Sequence, residues 1–337
     1  MAANRVLSRV IMVVVCIVLV ILALFLFQRA KPQGAKGGGV KIALKPEPNE
    51  TTNYRTTTQM RRSIKWEGPV PEKSAFEESF NDDRIETVVT QRIQSADANR
   101  GISAQITING LKYFSIVKNQ TTVDFDSTRL ADASSPLAKL MGQSYVIEFG
   151  PDNSISNVSD LSAVKLLVNG TSPEDHAGQN VLQPAAITER HSTLVLPQAG
   201  QEQLRPGDTW KKVKSFSFGM MGVKSYEKIY TLREIKETEG HKIAVIDMKA
   251  IPSAEVESRF RDKQAGANFP KMFDTNDIFT GTGVVDLTAG RIDSYSENLQ
   301  ANWVAAIPPT LRGMEDVNGP VVLRMSAVRS YNLERVK

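Results

Sequence analysis

Ile102-Ser103-Ala104-Gln105-Ile106-Thr107-Ile108-Asn109 alternates apolar and polar residues without a fault. That is the period of a strand with one buried and one wet face. On either side of it the chain repeats the theme. Tyr54 to Trp66 is rich in Thr and has neither Gly nor Pro, and Tyr226–Ile235 and Ile243–Met248 are β-branched and aromatic. Turn formers punctuate these runs: Asp97 to Gly101, Lys118-Asn119-Gln120, Gly150 to Asn153, Glu239-Gly240 and Ala289-Gly290. Short turns between neighbouring strands predict antiparallel hairpins.

Helical segments are few. Pro136 to Met141 reads as one turn, opened by Ser134 or Ser135 and closed by Gly142. Asp160–Val168, capped by Ser159 or Asp160, is a second, and Gln183–His191 a third. An internal repeat organises the strands. Val146 to Phe149, a turn, then Ile155 matches Val284 to Leu287, a turn, then Ile292. Upstream, Arg92-Ile93 with the turn at Gly101 matches Glu234-Ile235 with the turn at Gly240, and Tyr54 and Trp210 open the two halves. The first half carries an insertion, Glu67–Phe80. The predicted fold is mainly β: a large antiparallel curved sheet or half-barrel, built from two sequential β-meander repeats. They span residues 40–170 and 200–337, with a connector at 171–199.

Apolar residues make up 41% of the 337 and charged residues 23%, the balance of a globular chain. The net charge of +4 halves once Arg5 and Arg9 are set aside, and no basic stripe exists, which argues against nucleic acid. Cys16 is the one cysteine, so the domain is expected to lack disulfides and thiolate metal sites.

Val10 to Phe27 is 18 consecutive apolar residues. As a helix it rises ~27 Å, close to the ~30 Å hydrocarbon core of a bilayer. It has no polar face, no small-residue cleavage site at its end, and no small residues before Cys16 of the kind lipoprotein processing needs. It is read as an uncleaved anchor that follows a short cytoplasmic tail, residues 1–9. Lys and Arg are more numerous after the run than before it, which opposes a domain outside the cytoplasm. Long domains cross largely regardless of charge, and the outside orientation is preferred here. Residues 28–39, rich in Gly, Pro and Lys, read as a flexible linker.

The run Val40 to Pro46 followed by Tyr54 to Thr58, the stretch Val123 to Ser127, the Pro136 turn, Pro206 to Trp210 and Gly281 to Ile292 resemble an uncharacterised family of bacterial cell-envelope proteins. The resemblance spans about Val40 to Val328. It implies a fold related to the half-barrel of bacterial lipoprotein carriers, in which a curved sheet covers an apolar cavity. It assigns no activity. This chain departs from the family's lipoproteins in carrying an apolar span and no lipobox.

The residues supply little chemistry. His241 falls in a hairpin turn, Asp175-His176 sits in a polar loop that begins Ser172-Pro173-Glu174, and His176 and His191 have no partners in the pattern of a zinc site or a triad. Asp124 and Asp126 share a strand face, with Phe125 turned inward, an arrangement that suits a solvated face better than a cation site. Phe216, Phe218 and Met220 alternate with small residues, and Trp210 and Trp303 stand near strand ends. Trp210, Phe216, Phe218 and Trp303 are the candidate ligand-contacting residues; no catalytic residue, metal or cofactor is implied. Two functions remain open. One is a membrane-anchored carrier in the cell envelope, outside the cytoplasm, for lipid or another apolar ligand. The other is a scaffold that binds an envelope protein and no small molecule.

Overall fold

A computed structural model describes residues 39–68, 76–97, 101–197, 203–260, 273–307 and 321–336. The apolar run Val10–Phe27 and the linker up to residue 38 lie outside these. Among the described residues no helix is long and apolar enough to cross a membrane. Val40–Lys337 forms one compact unit.

Among the described residues twelve strands make a single antiparallel sheet. In chain order they are β1 (Thr51–Glu67), β2 (Ser79–Asp97), β3 (Gly101–Val117), β4 (Gln120–Asp126), β5 (Ser144–Phe149), β6 (Ile155–Ser159), β7 (Thr209–Ser217), β8 (Val223–Thr238), β9 (His241–Ser253), β10 (Asp274–Asp286), β11 (Arg291–Ile307) and β12 (Val321–Val336). The spatial order is β6-β5-β3-β2-β1-β12-β11-β10-β9-β8-β7, with β4 paired to the far half of β3. That order is circular. The chain runs outward from the centre to β6, returns at the opposite edge as β7, and steps back until β12 meets β1. The β1–β12 seam runs from Asn53 opposite Val336 to Glu67 opposite Val322. Arg55–Glu334 (2.7 Å) and Ser63–Ser326 (2.8 Å) tie it across the strands.

The sheet is strongly curved. The Arg329 guanidinium on β12 lies 4.8 Å from the ring centre of Phe216 on β7, five strands away. Bulges at Val88/Val89, Ile93/Ser95, Leu232/Glu234 and Val284/Val285 add local twist and bend. Gly281 and Gly283 on β10 leave room on the crowded inner face: a Cβ on Gly283 would sit 3.3 Å from Leu194. The hairpin turns follow their residues. Lys118-Asn119 and Glu239-Gly240 both take paired positive φ, which matches strand twist.

Between β6 and β7 the chain crosses the concave side as three short helices, α1 (Ser162–Lys165), α2 (Pro173–Val181) and α3 (Pro184–His191), then an extended segment. Val181, Leu182, Ile187 and Leu194 are buried beneath it. Near the sheet's open edge, Lys212 of β7 pairs with Asp152 of the β5–β6 turn at 3.2 Å. Trp210 Nε1 donates to the Val195 carbonyl at 2.8 Å. The connector thus fills the gap that a closed barrel would not have.

Three local expectations need correction. The second helix is not capped by Ser159 or Asp160: Asp160 adopts φ 61° and Leu161 precedes the helix without a side-chain cap. Asp175-His176 is not in a loop but opens α2, where Ser172 and Asp175 form a reciprocal capping box behind Pro173. The β7 stripe ends at Phe216, because Gly219 (φ 64°) and Gly222 (φ 77°) turn the chain into a tight connection. The Pro136 turn has the expected Ser135 cap.

Candidate functional site

The inner face of the sheet is defined by alternation. On β8 it carries Tyr226, Lys228, Tyr230 and Leu232, all buried. On β11 it carries Tyr295, Leu299, Ala301 and Trp303, likewise buried, with Glu297 among them. The aromatic rings of this face pack on one another. Trp210 stacks on Tyr230 with ring centres 5.5 Å apart, Phe279 stands edge-on to both Phe216 (5.8 Å) and Tyr226 (5.6 Å), and Phe218 meets Trp303 at 5.1 Å.

Two ionic clusters are set into this packing. Lys228 donates to Glu297 at 2.5 Å and to the Tyr295 hydroxyl at 3.0 Å, and Tyr295 donates to Glu297 at 2.7 Å. Burial works against the charge on Lys228, but Glu297 outweighs it and lifts the lysine above its ordinary range. Burial likewise opposes ionisation of Glu297, and Lys228 reverses the balance and holds it ionised. Nearer one end, Lys224 pairs with Asp277 at 2.7 Å, receives the face of Trp303 at 4.3 Å, and shares Asp277 with the Tyr226 hydroxyl. Burial and Asp277 both push the Tyr226 phenol well up.

A cleft of about 340 Å³ remains between α3 and the sheet. Its apolar wall is Met60, Ile85, Phe216, Phe279 and Leu299; Tyr113 and Tyr331 flank it, and Arg190, Arg329, Glu189, Glu297 and Asp83 reach it. Among small-molecule sites, which run ~300–1,000 Å³, it is at the small end. Most of its charges are already matched: Glu297 by Lys228 and Glu189 by Arg329, while Asp83 accepts from Ser115 at 2.7 Å.

The helix α3 is fixed over the cleft by hydrogen bonds from two distant strands. Tyr145 of β5 meets His191 Nε2 at 2.8 Å, and the Tyr331 hydroxyl of β12 donates to the Arg190 carbonyl at 2.8 Å. Burial, helped by Arg190, pushes His191 down to about 3, so the imidazole is neutral.

Of the four candidate ligand contacts, the structure places Phe216 in the cleft wall. Trp210, Phe218 and Trp303 are buried in the aromatic packing beside it and close the core. Arg190, Glu297, Phe279 and Leu299 escaped the sequence reading. A signal for Arg190 existed: it lies three residues after Ile187, on the same helical face, and a cation on the face that carries the apolar residue is a candidate buried charge. Asp124 and Asp126 are engaged in local structure. Asp124 pairs with Arg129 at 2.9 Å, and Asp126 with Lys112 at 3.4 Å and with the Thr128 amide. His241 is exposed, and its ring bonds the buried Asp286 at 2.8 Å.

No protein-family model and no curated protein matches the chain, so the likeness to an envelope family rests on the motifs quoted above. Among solved structures the chain is similar to one described as lipid–protein interactions in lipovitellin. Identity there is 10%, over 87% of this chain and 26% of that one, with a TM-score of 0.39. The chain therefore spans about a quarter of the lipovitellin chain. It is also similar to DynF from the dynemicin biosynthesis pathway of Micromonospora chersina, with 7% identity, 90% and 88% coverage and a TM-score of 0.19. Likenesses at these scores carry no argument about function.

Proposed function

We propose that this chain is a membrane-tethered, non-catalytic binding module that takes an apolar or amphiphilic small molecule into the concave cleft of its sheet. The observation that carries this reading is the cleft itself, with Met60, Ile85, Phe216, Phe279 and Leu299 on its wall. A curved sheet must cover both faces of its apolar residues. Here the connector and the aromatic packing cover most of the inner face, and the cleft is apolar surface left for a guest. The apolar run Val10–Phe27 supports a bilayer anchor, with the domain on the outer side of a bacterial inner membrane.

Native mass spectrometry of the compact unit Val40–Lys337, followed by organic extraction, tests the binding reading. A stoichiometric apolar molecule is the expected result; an apo mass that persists after incubation with membrane lipids would refute it. Protease added to spheroplasts tests the orientation: digestion of the domain is expected, and protection would place it inside.

A scaffold without a ligand is the second reading. The observation in its favour is that Trp210, Phe218 and Trp303 fill the inner face instead of lining a hollow. A persistent apo mass would select it.

A further inference from the structure

Arg190 sits in the last turn of α3, 3% exposed, and reaches the cleft. Its Nη2 donates to the Val181 carbonyl, and its Nη1 has no hydrogen-bond partner among the described residues. No carboxylate forms an ion pair with it among the described residues. The neighbouring Glu189 is turned to Arg329, Glu297 to Lys228, and Asp83 to Ser115. The groups around Arg190 are His191, which burial and Arg190 hold uncharged, the phenols of Tyr145 and Tyr113, which burial raises and of which Tyr145 shares a hydrogen bond with the guanidinium, and Glu189, whose charge acts on Arg190 while its carboxylate pairs with Arg329. A buried guanidinium is unfavourable unless an anion meets it, and its planar fork matches a carboxylate in two parallel hydrogen bonds.

We propose that Arg190 receives the head group of the ligand, and that the ligand is a single-chain amphiphile with a carboxylate head, of the fatty-acid class. This rests on the binding reading above and specifies its ligand. The head lies against Arg190 beneath α3, and the tail runs along Phe216, Phe279 and Leu299. The modest volume of the cleft suits one chain better than two. The carboxylates of the wall do not repel the head strongly, since Glu297 and Glu189 already carry their own cations.

The test uses the full-length protein in phosphatidylcholine nanodiscs. It is incubated with hexadecanoic acid bearing a terminal diazirine, or with the corresponding alcohol, irradiated, and digested for mass spectrometry. The expected result is labelling of peptides from β7, β10 and β11, at least tenfold stronger for the acid than for the alcohol. Arg190→Gln, confirmed folded by its melting curve, is expected to bring that ratio near one. The ratio is insensitive to a general loss of binding, so a merely structural role for Arg190 would leave it unchanged. Equal labelling of the cleft by acid and alcohol in the unaltered protein would overturn the head-group assignment while leaving the binding module standing. So would an unchanged ratio in folded Arg190→Gln. Absence of cleft labelling by either probe would remove both. Should Arg190→Gln fail to fold, the acid-to-alcohol ratio of the unaltered protein decides alone.

Discussion

His191 and Lys228 show how single buried ionisable groups bear on this fold, in opposite ways. His191 is neutral in the folded protein, with its titration pushed down to about 3, against about 6.5 in the unfolded chain. Between those values the unfolded chain binds the extra proton, so stability is complete above about pH 6.5 and declines as the pH falls. Each pH unit in that window costs about 1.4 kcal/mol from this group. His191→Gln, which keeps a polar group against Tyr145, is expected to flatten the stability–pH curve between pH 6 and 4 by close to one proton. Parallel denaturation curves for variant and parent would show that His191 does not govern the slope. Lys228 is charged, and its partner Glu297 is charged with it. Lys228→Met leaves Glu297 buried without its cation, at an expected cost of ~3–5 kcal/mol. Lys228→Met with Glu297→Leu removes both charges and should lose much less than the two single variants combined. A double-mutant cycle by urea denaturation reads the coupling, and simple additivity would disprove it.

At the element scale, what the sequence made legible follows the length and regularity of each pattern. Strand β3 was readable because Ala104, Ile106 and Ile108 are buried while Asn109 is exposed, as the alternation of that stretch requires. The turns were readable because Gly240 and Asn119 supply the positive φ that hairpins demand. The cleft was not, because its lining joins residues from β1, β2, β3, β7, β10, β11 and β12, and only the curvature of the sheet brings them together. The connector was half-readable. Its helix over Gln183–His191 was visible as a pattern, and α3 occupies Pro184–His191. Its neighbour α2 was missed because a polar opening, Ser172-Pro173-Glu174-Asp175, reads as loop until the capping box is recognised. That box makes α2 sensitive at its first residue: Ser172→Ala is expected to cost ~1 kcal/mol, within ~0.5–2. The far face of α2 is tight. A Cβ on Gly178 would come within 2.6 Å of Val168. Gly178→Ala is therefore expected to destabilise by ~1–3 kcal/mol despite the better helix propensity of Ala. Pairing it with Val168→Ala should recover part of the loss in a thermal melt, and no recovery would locate the strain elsewhere.

Across the whole molecule, the circular strand order makes the connector the part on which binding depends. The sheet ends at β6 and β7, and the chain between them both seals that gap and roofs the cleft. The roof is pinned at the last two residues of α3, His191 by Tyr145 of β5 and Arg190 by Tyr331 of β12, so two strands from different parts of the sheet hold the same end of the helix. A guest must fit beneath that helix, and Ala186 is the smallest α3 side chain that lines the space. Ala186 is half-buried, and a larger side chain there grows into the cleft instead of into packed core. Ala186→Trp is thus expected to leave the melting temperature within a few degrees of the parent, because no packed contact is removed. The same substitution occupies the volume that a ligand needs, and binding of an apolar guest should fall at least tenfold. Native mass spectrometry of parent and variant, each incubated with the same fatty acid, reads the difference directly. Equal occupancy in both would mean that the guest lies somewhere other than beneath α3. A large fall in melting temperature with occupancy retained would mean that the space under Ala186 belongs to the core and not to a binding site.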